Sequence, residues 1–380
     1  MTVVHLIKSL NRGGAETLLV EGLRVADRDR FDLRYAYFLE SAGTLAPDLR
    51  ALGADVHCFG VPNTPAMSLA VPRVARYLRA VGADLVHAHL PLAAVVGRLA
   101  GRLAGVPIVY TEHNPPNTYH PATRAVSRAT WPLQALAVAI SPDVATAIRR
   151  HTGAKSRVPV EVVLNGVDTD RYARTPGDRE AGREAAGIPD GAPVVGVVGM
   201  FRPQKRLDVW VEAARLIRET VPDARFLLVG DGELWGSTRA AAEAAGLGDV
   251  AHFVGARADV RPYLAAMDVF MMSSAYEGFG LAPVEAMSME VPVVATAVEG
   301  IRSVVRSGTD GVLVPFDAAV ARSLATEAVA FLADPGRSRQ FGEAGRAAAV
   351  GRFGLQRMQR EIEAMYVRVV SRHREMPGAL

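Results

Sequence analysis

Short apolar runs alternate with amphipathic stretches along almost the whole chain. Each run is rich in Val, Leu and Ile and is followed by glycine or polar residues, which is the pattern of a buried parallel strand. Apolar residues at helical spacing mark stretches such as 69–81 and 353–372. The alternation of strands and helices predicts an α/β protein with parallel sheets. The predicted strands lie at 3–7, 33–39, 56–59, 84–89, 106–110, 136–140 and 160–164, and again at 194–198, 226–229, 250–254, 268–272, 291–295 and 311–315.

The strand, turn and helix that open the chain are repeated after residue 193. The strand at 194–198 leads through a basic turn into a helix at 207–218, just as the strand at 3–7 leads through a glycine turn into a helix. This repetition predicts two tandem doubly wound, Rossmann-like domains. The stretch between them is rich in proline, glycine and charge, which is typical of a linker. We expect an N-terminal domain at 1–175, a linker at 176–193, a C-terminal domain at 194–352 and a C-terminal helix at 353–380.

Composition places the chain among globular proteins. Of its 380 residues, 22% are charged and 49% are hydrophobic, so neither disorder nor a fibrous fold is indicated. A single cysteine, Cys58, excludes an internal disulfide framework and a multi-cysteine metal site, and we expect its thiol to be buried. The sequence has no run of about 18 apolar residues. It also shows no secretion signal, so a cytoplasmic location is expected.

The charge is small overall but uneven. The net charge of +3 does not indicate nucleic-acid binding. Between residues 91 and 160, however, basic residues far outnumber the two acidic ones, Glu112 and Asp143. An anionic acceptor or peripheral contact with the inner face of a membrane would suit this region, and so would a simple scatter of solvated arginines. The basic residues are Arg98, Arg102, Arg124, Arg128, Arg149, Arg150, Lys155 and Arg157.

The stretch 273–296 carries the most specific chemistry. Glu277 and Glu285 have seven residues between them, including a glycine loop, and Pro283 suits the first turn of a helix. A helix starting near Pro283 would direct free N–H groups at the loop, which makes an anion site. Glu285 is expected in the first turn of this helix, so both carboxylates can face one ligand.

This stretch resembles the E-x7-E signature of retaining nucleotide-sugar glycosyltransferases of family 4. That family has two Rossmann-like domains facing each other across a cleft, the GT-B fold. The resemblance implies that the first domain binds the acceptor and the second the nucleotide sugar, and that the helix at 353–380 returns to the first domain. The resemblance implies that Glu277 contacts the transferred sugar and Glu285 the ribose of the nucleotide. The loop of Phe279, Gly280 and Leu281 would hold sugar and diphosphate through its amides. Where the family usually has a small residue, commonly glycine, this chain has Glu290.

The resemblance extends to the first domain. Gly13 and Gly14 stand in a Gly-Gly-Ala-Glu turn that borders the cleft in the family. This turn is not the G-x-G-x-x-G of dinucleotide-binding proteins. His113 comes at the carboxyl end of a predicted strand, where open α/β sheets bind ligands. It matches the family's active-site histidine, so a catalytic role for His113 together with Glu277 is implied.

The turn after the strand at 194–198 is a partial match to the family's diphosphate clamp. Lys205 matches the clamp lysine, whereas the family's arginine position holds Met200 and its final glycine position holds Arg206. Either Arg202 or Arg206 could supply the missing guanidinium, and we favour Arg202.

Two motifs suggest a metal site but are interpreted otherwise. His87 and His89 lie on one side of a strand, a spacing that suits a metal ion, but no third ligand stands nearby in sequence. Asp168 and Asp170 form a D-x-D, which we interpret as a capped turn because it follows Asn-Gly-Val. We therefore expect neither a metal nor another cofactor.

The resemblance implies transfer of a sugar from a nucleoside diphosphate sugar to an acceptor hydroxyl, with retention of anomeric configuration. Three classes of acceptor stay open on the sequence: a glycan, a lipid-linked glycan and a small molecule. Three alternatives remain: a glycoside hydrolase that uses both glutamates, a nucleotide-sugar epimerase, and a non-catalytic nucleotide-sugar-binding protein.

Overall fold

A computed structural model describes residues 1–11, 13–41, 43–153 and 156–375 of the chain. The chain divides into two compact units. The first contains Met1–Gly166 together with the chain from Leu355 onward, and the second contains Val167–Gly354. The predicted class is confirmed, because each unit is a parallel sheet with helices packed on it.

Within the described residues, seven parallel strands form the sheet of the first unit. Their order is β3-β2-β1-β4-β5-β6-β7, so the chain starts in the middle and winds outward in both directions. His5 of the first strand pairs with His87 of the fourth. The strands are β1 (Thr2–Ile7), β2 (Asp32–Tyr37), β3 (Val56–Cys58), β4 (Leu85–His89), β5 (Ile108–Glu112), β6 (Leu136–Ala139) and β7 (Val160–Val162).

One helix of the first unit begins at a cap that the sequence offers. Ser141 accepts a hydrogen bond from the Val144 N–H (3.2 Å), and Pro142 occupies the first helical position, as expected. The helices are α1 (Gly14–Val25), α2 (Ala46–Ala51), α3 (Val71–Ala80), α4 (Pro91–Ala104), α5 (Pro121–Thr130), α6 (Pro142–Thr152) and, from the far end of the chain, α15 (Leu355–Glu375). Short 3-10 turns lie at Pro65–Ala70, Pro116–Thr118 and Trp131–Leu133.

The second unit repeats the same plan. In the part of the chain that is described, six parallel strands run in the order β10-β9-β8-β11-β12-β13. They are β8 (Val194–Val198), β9 (Arg225–Val229), β10 (Ala251–Gly255), β11 (Val269–Met272), β12 (Val293–Thr296) and β13 (Val312–Val314). The central strands are wholly buried, as their unbroken apolar runs predict.

Eight helices accompany this second sheet within the described residues. They are α7 (Asp178–Ala186), α8 (Leu207–Thr220), α9 (Trp235–Ala244), α10 (Arg261–Ala266), α11 (Leu281–Ser288), α12 (Ile301–Val304), α13 (Val320–Ala333) and α14 (Pro335–Phe353). A 3-10 turn at Pro203–Lys205 precedes α8.

The expected linker at 176–193 is part of the second unit. Its helix α7 packs closely on α10, and a side chain at Gly182 would collide with the Pro262 carbonyl. Arg183 is buried and pairs with Asp268 at 3.0 Å. The unit boundary therefore falls at residue 166 and not near 175, because the polar stretch has its own packing partners.

Further expectations differ from the structure. Helix α14 was not predicted, and it ends only at Phe353, so the final helix begins at Leu355. Strands β2 and β7 end two residues earlier than expected, whereas β5 and β12 begin two residues later. Cys58 is half-buried instead of buried, with its sulfur 3.3 Å from the Gly60 amide. Among the residues described, no helix combines the length and the apolar character needed to cross a membrane.

Candidate active site

The second sheet has a topological switch point between β8 and β11. The chain continues from β8 to β9 on one side and from β11 to β12 on the other, so the loops after these two strands diverge. Open α/β sheets bind ligands at the carboxyl ends of strands at such a point. The loop after β8 carries Lys205, and the loop after β11 carries Glu277.

Lys205 and Glu277 form an ion pair that joins these loops. Lys205 Nζ donates to Glu277 Oε1 at 2.6 Å, and the Ser274 hydroxyl donates to the same oxygen at 2.7 Å. The two charged side chains are only 15% and 10% exposed. Backbone contacts hold the loops together as well, because the Ala275 N–H donates to the Gln204 carbonyl at 2.8 Å. Both predicted residues are therefore held at one place before any ligand binds.

Glycines shape the loop between Glu277 and α11. Gly280 has φ +96° and forms the N-cap of α11, a left-handed conformation that favours glycine. A side chain there would collide with Ile301, and one at Gly300 would collide with the carbonyl of Glu277. The close approach leaves the N–H groups of the first turn of α11, starting at Leu281, available to an anion.

Phe279 does not offer its side chain to a ligand. The ring is 2% exposed and packs edge-on against Phe353 at 5.6 Å between centroids. A ligand can therefore meet only the backbone of Phe279.

Glu285 lies beyond the first turn of its helix, because α11 begins at Leu281 and not near Pro283. The Tyr172 hydroxyl donates to Glu285 Oε1 at 3.3 Å. Sequence reasoning missed Tyr172, and no spacing connects it to the distant glutamate. Its position four residues after Asp168 of the Asn-Gly-Val-Asp turn is the one local signal that could have pointed to it.

The two candidate arginines differ in their partners. Arg206 has φ +46° and its guanidinium is bound to Asp208, with nitrogen–oxygen distances of 2.8 and 3.0 Å. This hydrogen-bonded pairing raises the pKa of Arg206 and lowers that of Asp208. Arg202 is exposed, and its guanidinium has no partner among the residues that the structure describes. Arg202 is thus the cation available to a ligand, while Met200 brings none.

Gly13 and Gly14 stand at the start of α1, after β1 of the first sheet. Gly13 is the N-cap and Gly14 the first helical residue, so the glycine turn does lead into a helix N-terminus. A side chain at Gly13 would collide with the Glu16 carboxylate. The adjoining Arg12 lies outside the described residues.

His113 is the first residue after β5 and is only 9% exposed. Its Nε2 shares a hydrogen bond of 3.1 Å with Nδ1 of His89, which ends the neighbouring strand β4. Burial lowers the pKa of His113 to about 4, so the imidazole is neutral at pH 7.

The structure brings a third histidine to His87 and His89. Because β1 and β4 are paired, the nitrogens of His5, His87 and His89 lie within 4.8 Å of one another, a geometry that could hold a metal ion. No third ligand is near along the sequence, as stated above, but strand pairing brings His5 to this place. His87 uses both ring nitrogens in hydrogen bonds, to the Tyr366 hydroxyl (2.6 Å) and the Thr111 hydroxyl (2.7 Å).

A buried carboxyl group next to His113 was not predicted as a site residue. Glu112 is 3% exposed and accepts hydrogen bonds from the hydroxyls of Tyr110 (2.6 Å) and Tyr119 (2.5 Å). Burial raises its pKa to about 7, against the opposing effect of these hydrogen bonds. Glu112 thereby fixes Tyr119 and the segment after β5.

The basic stretch of the first unit is less uniform than its sequence suggests. Arg98 is fully buried, with its guanidinium over the Tyr110 ring (4.9 Å) and hydrogen-bonded to Gln134 (2.7 Å). Desolvation lowers its pKa to about 10. Arg98 therefore belongs to the core, and Lys155 lies outside the described residues. In the D-x-D, Asp168 accepts from the Arg171 N–H at 3.1 Å, which is the expected capped turn.

Comparison with known proteins gives consistent matches over nearly the whole chain. Residues 2–171 match the family described as Glycosyltransferase Family 4, and residues 178–348 match Glycosyl transferases group 1. The 2-deoxystreptamine glucosyltransferase of Streptomyces kanamyceticus is 31% identical over 82% of this chain and 84% of that protein. The alpha-maltose-1-phosphate synthase of Mycolicibacterium smegmatis is 28% identical over 86% and 93%.

A solved structure resembles the fold closely. HepE of Anabaena in complex with UDP-glucose has a TM-score of 0.85 and 26% identity, covering 97% of this chain and 100% of that one. Sucrose-phosphate synthase of Thermosynechococcus elongatus, at 20% identity and a TM-score of 0.80, shows the same fold over 98% and 100% of the two chains.

Proposed function

The chain is a glycosyltransferase of family 4 with the GT-B fold, and from that premise we propose that it transfers a sugar from a nucleoside diphosphate sugar to an acceptor hydroxyl, with retention of configuration and without a metal ion. The observation that carries the proposal is the Lys205–Glu277 pair at the switch point of the second sheet. The pair sets a cation and a carboxylate at the start of the glycine loop that leads into α11, and with the N–H groups of that helix's first turn they suit a diphosphate and a sugar.

UDP is the nucleotide to test first, because the HepE structure at 26% identity contains UDP-glucose. In the proposed complex, Lys205 and Arg202 neutralise the diphosphate, and the amides near Gly280 and Leu281 bind phosphate and sugar oxygens. Glu277 orients the transferred sugar, and Glu285 accepts from the ribose hydroxyls. Arg202 is favoured over Arg206 because Asp208 already occupies the Arg206 guanidinium.

The reaction breaks the bond between the sugar C1 and the diphosphate oxygen and forms a bond from C1 to the acceptor oxygen on the same face. The acceptor proton passes to the departing phosphate oxygen, so no protein nucleophile is required. The protein lowers the barrier by holding the two reactants and by stabilising the leaving negative charge. Fixed cations and helix N–H groups neutralise that negative charge, which is why a metal ion is not needed in this proposal. His113 acts beside the transferred sugar, as the family resemblance implies, and Gly13 and Gly14 present backbone amides.

The acceptor is bound by the first unit in this proposal. Within the first unit, Tyr119 and the segment after β5, which Glu112 holds in place, are our candidates for contact with the acceptor. The exposed arginines of α5 and α6 and the exposed Leu103 and Val126 also suit an anionic membrane surface that presents a lipid-linked acceptor. Co-sedimentation with vesicles of phosphatidylglycerol tests this contact, and failure to bind at low salt argues for an acceptor free in solution.

The decisive experiment combines binding with turnover. The purified protein is melted with UDP, GDP, ADP or dTDP, since a ligand at about 100 times its Kd stabilises by roughly 2.7 kcal/mol. The matching sugar nucleotide, in EDTA, is then followed by NMR for release of the sugar to water. Retention requires that the anomer of the donor appears first. Loss of turnover in EDTA, or the opposite anomer, contradicts the proposed mechanism.

Matched variants locate the activity. Glu277→Gln is expected to abolish turnover, whereas Glu343→Gln makes the same charge change on an exposed position of α14 and leaves it intact. Arg202→Ala is expected to weaken nucleotide binding, and Arg206→Ala in the same loop to leave it nearly unchanged. If none of the four nucleotides raises the Tm of the folded protein, a non-catalytic role is favoured.

A further inference from the structure

Three buried histidines form a continuous hydrogen-bonded row in the first unit. His5 on β1 shares a hydrogen bond with His89, at 3.0 Å between Nδ1 and Nε2. His89 shares the next one with His113, at 3.1 Å between its Nδ1 and the Nε2 of His113. His5, His89 and His113 are called the histidine row below. They are 7%, 5% and 9% exposed, so water does not compete for these bonds.

Each ring of the row carries a single ring proton at neutral pH. Burial lowers the pKa of His5 to about 3 and that of His113 to about 4, and it lowers the pKa of His89 well below its ordinary value. A neutral imidazole has one N–H donor and one bare nitrogen acceptor. In each ring, therefore, the nitrogen that donates determines which nitrogen must accept.

The connectivity couples the three tautomers. If His5 donates from Nδ1, His89 must accept at Nε2 and carry its proton on Nδ1. His89 then donates to Nε2 of His113, which leaves the His113 proton on Nδ1. If the first bond runs the other way, all three protons lie on Nε2. The row thus allows only two arrangements, and in each the three histidines share one tautomer.

The free end of the row decides which arrangement is useful. Nδ1 of His113 has no hydrogen-bond partner within the described part of its own unit, so it is the nitrogen that can meet a ligand. A sugar diphosphate presents acceptor oxygens, and the departing phosphate gains negative charge. An N–H at this position stabilises that charge, whereas a bare nitrogen repels it.

We propose that His5 and His89 are positioning residues that hold His113 in the tautomer with its proton on Nδ1, so that it donates to an oxygen of the bound sugar nucleotide. This inference rests on the function proposed above. It assigns a purpose to His5 and His89, which contact no reacting atom themselves. It also explains why histidine stands on adjacent strands of a core that is otherwise apolar.

A metal ion is the competing use of these side chains. His5, His87 and His89 have nitrogens within 4.8 Å of one another. His87 would have to give up its hydrogen bond to Tyr366 or Thr111, and His89 and His5 would have to give up the bond between them. Without a metal ion, all of these hydrogen bonds are kept. We therefore favour the histidine row over a metal site.

The tautomers can be read directly from the ligand-free, full-length protein. Long-range ¹H–¹⁵N spectra of histidine-labelled protein distinguish a proton on Nδ1 from one on Nε2, and single substitutions assign the nine histidines. We expect His5, His89 and His113 all to carry the proton on Nδ1. The proposal would be overturned if the three rings had different tautomers, or if all three carried the proton on Nε2. It would also be overturned by a metal site, shown by a spectrum that changes with EDTA and by one zinc per chain in mass spectrometry.

Substitution of His5 tests the transmission to His113. His5→Asn keeps an N–H near the position of Nδ1, whereas His5→Phe keeps a ring against Tyr35 but cannot donate. We expect His5→Phe to change the His113 tautomer and lower kcat by about 10- to 100-fold, the effect of losing a bond that orients a functional histidine. KM for the donor should stay within about twofold, because the hydrogen bond from His113 acts mainly on the negative charge that the departing phosphate gains in the transition state. His5→Asn should retain both the tautomer and most of kcat.

His57→Phe is the matched control, because His57 also stands on a strand of this sheet and stacks on a tyrosine, Tyr77, but lies outside the row. Equal losses in His5→Asn and His5→Phe, or a lower kcat with an unchanged His113 tautomer, would reduce His5 to a packing residue and refute the proposal. The spectra need no substrate. If they show the shared tautomer while the protein turns over no sugar nucleotide, the proposed function fails, and with it the purpose assigned to the row.

Discussion

The ion pair between Lys205 and Glu277 gives the sharpest test of the site. Lys205→Met removes the charge but keeps the aliphatic stem, and among the described residues it leaves the buried Glu277 carboxylate with the Ser274 hydroxyl as its remaining side-chain partner. Breaking a fully buried pair costs about 3–5 kcal/mol, and an exposed pair is worth under about 1 kcal/mol. With side chains 15% and 10% exposed, we expect a loss of about 2 kcal/mol. In a unit of this size that lowers Tm by roughly 4–8 °C.

The double variant separates stability from binding. Lys205→Met with Glu277→Gln leaves no unpaired charge, so it should recover most of the lost stability, with a coupling free energy of about 1–3 kcal/mol. UDP affinity should behave differently. Removing the cation from the diphosphate costs a charge-assisted hydrogen bond, about 10- to 100-fold in Kd, and the double variant should stay weak.

Calorimetry measures both quantities on the same samples, by thermal unfolding and by titration with UDP. The matched control is Arg239→Met with Glu243→Gln, an ion pair of the same unit whose side chains are 63% and 60% exposed. Its coupling should stay under about 0.5 kcal/mol. Recovery of UDP affinity in the Lys205/Glu277 double variant would show that Lys205 does not touch the diphosphate. Failure to recover stability would refute the role of the pair in holding the two loops.

Three further outcomes follow from single contacts. Glu290 is exposed and has φ +57°, so Glu290→Gly should raise the unfolding free energy by about 0.5–1 kcal/mol in urea titrations; a loss would refute the backbone argument. Tyr366→Phe leaves His87 Nδ1 unpaired in the core, so it should cost about 1–2 kcal/mol and speed amide exchange in α15, and unchanged exchange would contradict this. Burial raises the pKa of Glu112 from 4.5 to about 7, so the folded protein holds this proton more tightly than the unfolded chain does. The contribution of this proton to stability is full below pH 4.5 and is lost as pH rises through 7. Between pH 4.5 and pH 8, Glu112→Gln should therefore gain roughly 3 kcal/mol of unfolding free energy relative to wild type, as measured by denaturation across that range. Parallel pH profiles of the two proteins would refute the assignment.

The sequence predicted the elements whose signals are local. Apolar runs ending in glycine gave the strands of both sheets, and the Ser141-Pro142 pair marked the start of α6. Two of the three departures from the family pattern are also visible in the backbone. Arg206 and Glu290 stand where the family has glycine or a small residue, and both have positive φ. The family's preference therefore reflects a backbone that this chain keeps.

Helix α14 escaped prediction because its packing face is made of small residues. The buried positions are Gly342, Gly345, Ala349 and Phe353, which give no apolar stripe. A side chain at Gly342 would collide with the Glu290 carbonyl, so close approach and not apolar area selects glycine there. The linker was misjudged for a similar reason, since Arg183 is buried by its pairing with Asp268.

The part of the site that depends on strand pairing could not be read from the chain. His5 and His87 are far apart in sequence and meet only because β4 lies beside β1. The burial of Glu112 and the hydrogen bond from Tyr172 to Glu285 are equally nonlocal. The motif residues could be identified from the sequence, but the residues that surround them in space could not.

The return of α15 to the first unit sets an order on how the polypeptide matures during translation. The second unit is one continuous segment and can finish folding as soon as Gly354 has left the ribosome. The first unit starts earlier but is completed later, because Tyr366 reaches His87 across 279 positions of sequence. Until then the nascent sheet lacks one of its covering helices and exposes apolar surface that chaperones recognise. A premature stop after residue 354 would therefore leave the second unit complete and the first unit without its last helix.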